Sequence, residues 1–268
     1  MHPLARASPA VKRFSPPPPP CQNTPSFATC CRVTACIGHL TERIRVDLLK
    51  RTLYSTMVYT TKIYQRLFMD FRVWGREHIP PGPNIFVSNH ITSTDPHWVL
   101  PVFTEPVHII IGPGYQSKIM ARIFDFFEQI NAMPAHRKTV VDAAVRYLKK
   151  GESVWSAPEG DLQAPFQLGP FYPGVARIYR RTHAPMIPIA LVAPRSAMRE
   201  WPMKIVVEGR VYRTIVVLRG PYCVNIGEPF RPVTNENGGP EEDQRIMELL
   251  KERIRWLAED VRTNKFWL

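Results

Sequence analysis

The sequence has no long apolar run. A transmembrane helix needs about 20 mainly apolar residues, and charged residues interrupt the apolar stretches of this 268-residue chain before that length is reached. No apolar segment of suitable length follows the first basic residues either, so a secretory signal is not expected. We therefore predict a chain that has no membrane-spanning helix.

Cysteine is scarce and irregularly placed. The chain has five cysteines, an odd number, and their spacing matches neither a zinc site nor a disulfide framework. We therefore predict unpaired thiols and no metal site. The cysteines are Cys21, Cys30, Cys31, Cys36 and Cys223.

Negative charge is also in short supply. The chain has 23 acidic residues against 35 lysines and arginines, which gives a net charge of +12. Such a balance implies an anionic partner, which could be nucleic acid, an anionic membrane or a phosphorylated substrate. The sequence has no paired Cys/His zinc spacing, no RNA-binding aromatic signature and no basic run interleaved with aromatics. Nucleic acid is therefore not predicted as a partner.

The first 40 residues differ in composition from the rest. Residues 16–20 are consecutive prolines, which exclude helix and central strand, and no acidic residue precedes Glu42. We predict that residues 1–40 are a disordered, proline-rich extension. Their basic, hydroxyl-rich composition is shared by organelle transit peptides, by plain disordered tails and by misassigned start regions, so these three interpretations stay open.

Residues 41–72 are predicted to form one long amphipathic helix, because they contain neither proline nor glycine and their apolar residues recur at mostly four-residue steps. One interpretation is that this apolar stripe covers the core of the following domain. The other is that the helix lies in the plane of a membrane surface, where each basic residue would add about 1 kcal/mol of attraction to anionic lipid. Both interpretations can hold along different parts of so long a helix. The stripe comprises Leu49, Leu53, Met57, Ile63, Leu67 and Phe71, and the basic residues are Arg43, Lys50, Arg51, Lys62 and Arg66.

From residue 73 to residue 268 strand-like and helical patterns alternate, as in a single domain. This succession predicts an α/β fold with a mixed, largely parallel sheet flanked by helices and with ligands at the strand ends. Because the last strands follow one another without helices, an antiparallel edge is expected. The predicted strands are 84–87, 107–111, 152–156, 186–192, 204–207 and 222–226, and the predicted helices are 96–103, 117–129, 139–150, 174–182 and 241–262.

A histidine and an aspartate with four residues between them follow the first predicted strand. An imidazole can take a proton near neutral pH, and a carboxylate on its other nitrogen stabilises the imidazolium, so His90 and Asp95 form a candidate base and its partner. Thr92 and Ser93 lie inside the same short loop, where an attacking hydroxyl is hard to align with His90. The hydroxyl activated here is therefore expected to belong to a substrate.

Three further blocks follow in order. They are residues 133–137, which end in Arg137; residues 157–160, which end in Glu159 and Gly160; and residues 185–190, which contain Pro185 and Pro188. With the His90 block, their order and separation resemble the glycerolipid acyltransferase family, which includes the glycerol-3-phosphate and lysophosphatidic acid acyltransferases. The resemblance covers residues 73–230.

The resemblance implies a role for each matching residue. His90 would be the general base and Asp95 its partner, and Arg137 would contact the phosphate of the acceptor, for which its planar fork is suited. Glu159 and Gly160 would bind the acceptor. Pro185 and Pro188 would shape the wall of the site.

The resemblance implies an acyltransferase that moves a fatty acyl group from an acyl thioester to the hydroxyl of a lysophospholipid, with 1-acylglycerol-3-phosphate as the first candidate. Acyl-CoA or acyl-carrier protein would be the co-substrate, with no cofactor, and the enzyme would be a peripheral membrane protein. Asp161 and His136 depart from the family pattern, and a carboxylate beside a phosphate site lowers affinity unless it points away. Another lipid or glycerol acceptor therefore stays open.

Two other classes of function are weighed against transfer. A hydrolase with its own serine would need a nucleophile elbow, but Gly-x-Ser-x-Gly does not occur in the sequence. A non-catalytic lipid-binding relative is expected to have lost His90 or Asp95, and both are present.

Overall fold

The computed structural model describes residues 27–234 and 238–265, with side-chain surroundings given from residue 45 onward. The chain divides into two units, the first ending at Leu48 and the second spanning Leu49–Leu268. Most of the predicted extension, residues 1–26, lies outside the described residues. The first helix begins within the predicted extension, at Phe27.

A seven-stranded sheet forms the centre of the second unit, in the order β1-β9-β6-β2-β5-β3-β4. Strands β6, β2, β5, β3 and β4 are parallel, whereas β9 runs antiparallel to β6. The prediction of a mixed, largely parallel sheet is therefore confirmed. The strands are β1 (Met69–Trp74), β2 (Ile85–Ser88), β3 (Val107–Ile111), β4 (Ile130–Asn131), β5 (Ser153–Ser156), β6 (Met186–Val192), β7 (Met198–Val207), β8 (Arg210–Val217) and β9 (Gly220–Ile226).

Helices cover both faces of the sheet and bury a core on each. The helices are α1 (Phe27–Phe68), α2 (Asp95–Val99), α3 (Lys118–Phe126), α4 (Val140–Lys149), α5 (Gly174–Thr182) and α6 (Pro240–Asn264). One core cluster joins the sheet to α4, α5 and α6. The other joins it to α2, β8 and the part of α1 that belongs to the second unit.

The predicted helix 41–72 ends too late. Helix α1 stops at Phe68, and the next six residues form β1, which pairs in parallel with β9 from Met69 opposite Gly220. Phe71 therefore belongs to the sheet, where its ring stacks on Tyr222 at a centroid distance of 5.9 Å. Strand pairing outweighs the local helical pattern here. Because β1 runs parallel to β9 and β9 runs antiparallel to β6, both strands at this end of the sheet run against the parallel block, so the expected antiparallel edge is confirmed.

Most of the apolar stripe predicted on α1 does not pack on the core. Leu49, Leu53, Ile63 and Leu67 are 43–67% exposed, and of the predicted stripe on this helix only Met57 packs against the second core cluster. Beside Met57, the face turned to the core carries Tyr54, Tyr64 and the buried Gln65. These polar side chains find partners there: Gln65 Nε2 donates to the Trp98 carbonyl at 2.9 Å and the Tyr64 hydroxyl to that of Leu218 at 2.9 Å. The first interpretation of the stripe is therefore wrong for its four exposed leucine and isoleucine residues.

Strands β7 and β8 form a separate two-stranded antiparallel hairpin. Sequence patterns predicted only the part from residue 204 to residue 207, because charged residues interrupt the apolar alternation in the rest. The hairpin turns at Glu208 and Gly209, both with positive φ. Among the described residues, no helix combines the length and the apolar character needed to cross a membrane.

Candidate active site

The candidate site lies at the carboxyl end of β2, in the loop that leads to α2. Because β2, β5, β3 and β4 are parallel, the loops that follow them emerge at the same edge of the sheet. Asn89 fixes the start of the loop: its amide donates to the Leu191 carbonyl at 2.9 Å and accepts from the Leu191 N–H at 2.7 Å. The loop is thereby tied to β6 as well as to β2.

His90 and Asp95 are in direct contact. Nδ1 of His90 lies 2.9 Å from Oδ2 of Asp95. The imidazole is 27% exposed, whereas the carboxylate is fully buried. With Nδ1 held by the carboxylate, Nε2 is the ring nitrogen left to exchange a proton with a ligand. The contact predicted from the spacing of the two residues is therefore present.

The carboxylate of Asp95 accepts four further hydrogen bonds from this loop and the neighbouring strand. The backbone N–H groups of Ile91 and Thr92 donate to it at 2.9 Å and 3.0 Å, and the Thr92 hydroxyl at 2.5 Å. The Tyr222 hydroxyl, from β9, donates at 2.8 Å. A buried charge is stable only when its hydrogen bonds are satisfied, and these donors satisfy this one.

Tyr222 is a residue of the site that the sequence did not reveal. It was predicted only as the first residue of a strand. A tyrosine buried at a strand start signals that its hydroxyl needs a partner, but nothing in the sequence says that the partner is Asp95. Burial, followed by the nearby charge of Asp95, raises the pKa of Tyr222 well above its usual value, so the hydroxyl stays a donor.

Glu159 supports the His90 loop from β5. Its Oε2 accepts from the His90 backbone N–H at 2.7 Å and its Oε1 from the Gly169 N–H at 2.8 Å, and the side chain is buried. Burial raises the pKa of Glu159 to about 7, although these backbone donors oppose the shift. The observed contacts are thus with the protein, and the acceptor-binding role stays a prediction.

Gly160 and Asp161 continue from Glu159. Gly160 has φ +66°, a left-handed conformation, and a Cβ there would lie 3.3 Å from the ring of Tyr172, so glycine is required. Asp161, which departs from the family pattern, forms an ion pair. Its Oδ2 lies 2.5 Å from a guanidinium nitrogen of Arg210, at the start of β8. The hairpin therefore neutralises the unexpected carboxylate, a contact between residues 49 positions apart that the sequence does not signal.

Arg137 is exposed on the 3-10 segment Pro134–Thr139, which follows β4. This places it on the edge of the sheet that carries His90. In the described part of the chain it makes no ion pair with an acidic side chain. Its guanidinium is therefore available to an anionic ligand.

Pro185 and Pro188 are not beside His90. Pro185 precedes β6, and its carbonyl accepts from the N–H of Ile85 at the start of β2. That is the edge of the sheet opposite the loop of His90. Pro188 is buried within β6 opposite Val87. The structure therefore does not bring Pro185 to the site, and it places Pro188 inside the sheet.

Together, the fold and the site define an α/β protein with a histidine–aspartate pair at the ends of parallel strands. A family model described as Acyltransferase matches residues 70–192, the segment that contains this pair. This match and the two relatives below support a glycerolipid acyltransferase family for this domain.

Two relatives extend the comparison. The chain is 27% identical over 136 residues to a protein of Brassica napus, the chloroplastic 1-acyl-sn-glycerol-3-phosphate acyltransferase BAT2. That match covers 47% of this chain and 38% of the relative's length. The crystal structure of the 1-acyl-sn-glycerophosphate acyltransferase PlsC from Thermotoga maritima has the same fold, with a TM-score of 0.61 over 83% of this chain and 84% of that one, at 18% identity.

Proposed function

We propose that the protein transfers a fatty acyl group from an acyl thioester to the hydroxyl of a lysophospholipid, with 1-acylglycerol-3-phosphate as the first candidate. The observation that carries the proposal is the 2.9 Å contact between His90 and Asp95, which leaves Nε2 of His90 available in a domain of the acyltransferase family. Both named relatives are 1-acylglycerol-3-phosphate acyltransferases, which supports this choice of acceptor.

The proposed reaction needs no nucleophile from the protein. Nε2 of His90 takes the proton of the acceptor hydroxyl, whose oxygen attacks the thioester carbonyl carbon. The carbon–sulfur bond then breaks, and the imidazolium returns its proton to the departing thiolate, which leaves an ester and a free thiol. Asp95 stabilises the imidazolium between these steps. A positioned base of this kind contributes typically 10²–10⁴-fold to the rate.

Phosphate on the acceptor is the feature that Arg137 would recognise. Its exposed guanidinium can bind two phosphate oxygens at once, which a lysine cannot do. The ion pair between Arg210 and Asp161 removes an objection to such an acceptor, because it neutralises the carboxylate beside Gly160. Glu159 contributes by holding the backbone of His90 in place.

The acyl donor would be acyl-CoA or acyl-carrier protein. Because the lipid acceptor resides in the membrane, we propose that the enzyme is a peripheral membrane protein. The exposed apolar residues on α1 support the second interpretation of that helix, as an element lying on the membrane surface. Leu49, Leu53, Ile63 and Leu67 would enter the lipid, with Arg51, Lys62 and Arg66 near the headgroups.

An assay that follows three products separately tests this proposal. Purified protein is incubated with detergent-dispersed 1-acylglycerol-3-phosphate and radiolabelled acyl-CoA or acyl-carrier protein, and product lipid, free thiol and free fatty acid are measured. We expect product lipid and free thiol in equal amounts. Free fatty acid without product lipid would indicate a hydrolase, and binding of lipid without consumption of either donor would indicate a non-catalytic relative.

A further inference from the structure

The hairpin of β7 and β8 exposes four large apolar side chains to solvent. Trp201 is 50% exposed, Met203 and Val206 are each 52% exposed, and Val211 is 53% exposed. Trp201 and Met203 flank Pro202 at the irregularity where β7 shifts register against β8. Val206 and Val211 face each other across the strands beside the turn. Several large exposed apolar residues gathered on one hairpin are typical of an interaction surface.

The same hairpin carries excess positive charge. Residues 198–217 include four basic and two acidic residues. Lys204 lies directly opposite Arg213, two rungs of the ladder from the Val206–Val211 pair and therefore on the same face. Like charges directly opposite each other destabilise a hairpin, and in the described part of the chain neither pairs with an acidic side chain. This face, with two valines and two unpaired cations, suits an anionic and partly apolar partner.

The hairpin is also attached to the candidate active site. The Ser93 N–H donates to the Ile215 carbonyl at 2.7 Å, and the Val217 N–H donates to the Thr94 hydroxyl at 3.2 Å. Ser93 and Thr94 lie between His90 and Asp95 in the loop. Near the turn of the hairpin, Arg210 forms an ion pair with Asp161, the residue that follows Gly160. Whatever the hairpin contacts is therefore held next to the loop of His90.

We propose that this hairpin docks on the surface of an anionic phospholipid bilayer. Trp201, Met203, Val206 and Val211 enter the boundary between headgroups and acyl chains, and Lys204 and Arg213 contact the phosphates. Tryptophan is suited to that boundary because its ring is amphipathic. The choice of a bilayer rests on the proposed function, whose acceptor resides in the membrane, and docking would bring the loop of His90 to the surface from which that acceptor enters.

Exposure of an aromatic ring alone does not select the hairpin. Trp256 on α6 is 75% exposed, more than Trp201. Helix α6, however, carries seven acidic and five basic residues, so it has the opposite sign of net charge. Trp256 therefore supplies a matched control, because it is an exposed tryptophan in surroundings that an anionic bilayer repels.

Sedimentation of the full chain with phosphatidylglycerol-containing and pure phosphatidylcholine vesicles tests docking without any turnover. Trp201→Ser together with Met203→Ser should weaken binding to anionic vesicles by on the order of tenfold. Lys204→Gln together with Arg213→Gln should weaken it by about fivefold for each charge removed and should have little effect on the neutral vesicles. Trp256→Ser should bind like the unmodified chain.

The thermal midpoint of unfolding and amide hydrogen exchange distinguish loss of docking from loss of the fold. All variants should keep the thermal midpoint of unfolding and turnover of detergent-dispersed acceptor, and amide hydrogen exchange in residues 201–213 should slow when anionic vesicles are added. Unchanged exchange there, or equal vesicle binding by the hairpin variants and Trp256→Ser, would overturn the proposal. Failure of the unmodified chain to consume any thioester would contradict the proposed function while leaving vesicle binding by the hairpin as measured.

Discussion

The Tyr222 hydroxyl donates to Oδ1 of Asp95 at 2.8 Å, a contact between β9 and the loop of His90 across 127 positions of sequence. It ties the partner of the proposed base to the antiparallel strand of the sheet. The orientation of Asp95 toward His90 therefore depends on a strand that is remote from the motif.

Tyr222→Phe is predicted to lower kcat on the order of tenfold, because Asp95 loses one of its donors and holds the imidazole less firmly. The cost to stability should be about 1.5–3 kcal/mol, as for a hydrogen bond to a charged group. Steady-state kinetics and urea unfolding on the same preparation measure both quantities.

Tyr179→Phe is the control for this variant. The Tyr179 hydroxyl is also buried and also makes a hydrogen bond of 2.8 Å, to the Pro232 carbonyl, away from the site. It should lose stability without losing kcat. Equal losses of kcat in the two variants would show that Tyr222 acts only through general stability.

Glu159 is predicted to make stability depend on pH between about 4.5 and 7. Burial raises the pKa of Glu159 from its model-compound value of 4.5 to about 7, so in that window the folded chain keeps a proton that the unfolded chain has lost. The free energy of unfolding should then fall as pH rises, by about 3 kcal/mol in total from this group.

Glu159→Gln removes the titrating group and with it this slope. Urea unfolding of both proteins at several pH values from 4 to 8 gives the difference in their unfolding free energies, which should decline through the window for the unmodified chain relative to the variant. Parallel pH profiles would mean that Glu159 titrates alike in the folded and unfolded states.

Arg137→Ala is predicted to raise KM for a phosphorylated acceptor and to leave KM for the thioester donor nearly unchanged. Arg137→Lys should restore only part of the loss, because a point charge cannot bind two phosphate oxygens as the fork does. Arg146→Ala, an exposed arginine on α4, is the control and should change neither KM. An equal effect of Arg137→Ala on both substrates would place Arg137 in the donor site.

Charge reversal on α1 is predicted to weaken binding to anionic vesicles. Lys62→Glu together with Arg66→Glu should do so, since each basic residue near such a surface contributes about 1 kcal/mol, and binding should also weaken as salt rises. Lys50 is a poor site for this test because it already pairs with Glu128 at 2.5 Å.

Arg146→Glu together with Lys149→Glu changes the net charge equally on α4 and serves as the control for the α1 variant. Sedimentation with liposomes of varied anionic content compares the two. Equal losses would indicate that overall charge, and not α1, governs binding.

Local patterns predicted what depends on neighbours in sequence. Strands β3 and β6 and helix α5 have the predicted bounds, since each is a strongly patterned segment bounded by turn residues. The contact between His90 and Asp95 also follows from spacing, because residues five positions apart on a turn can meet.

Contacts between remote segments could not be predicted in this way. The sequence pattern of residues 69–72 predicts helix, but these residues form a strand because they pair with β9. One of the two interpretations of the apolar stripe of α1 made it the core-facing side, but the side with Tyr54 and Tyr64 packs on the core. Tyr222 and Arg210 reach the site through tertiary packing alone, so no motif reports them.

The most direct test of the account is the rate of acyl transfer by His90→Ala compared with His97→Ala. His97 lies on α2, two residues beyond Asp95, and is exposed. His97→Ala therefore removes the same kind of side chain as His90→Ala but leaves the proposed base in place. We predict that His90→Ala lowers kcat by about 10²–10⁴-fold in a chain that still unfolds cooperatively, while His97→Ala keeps the rate of the unmodified chain. Full turnover by folded His90→Ala would contradict the account.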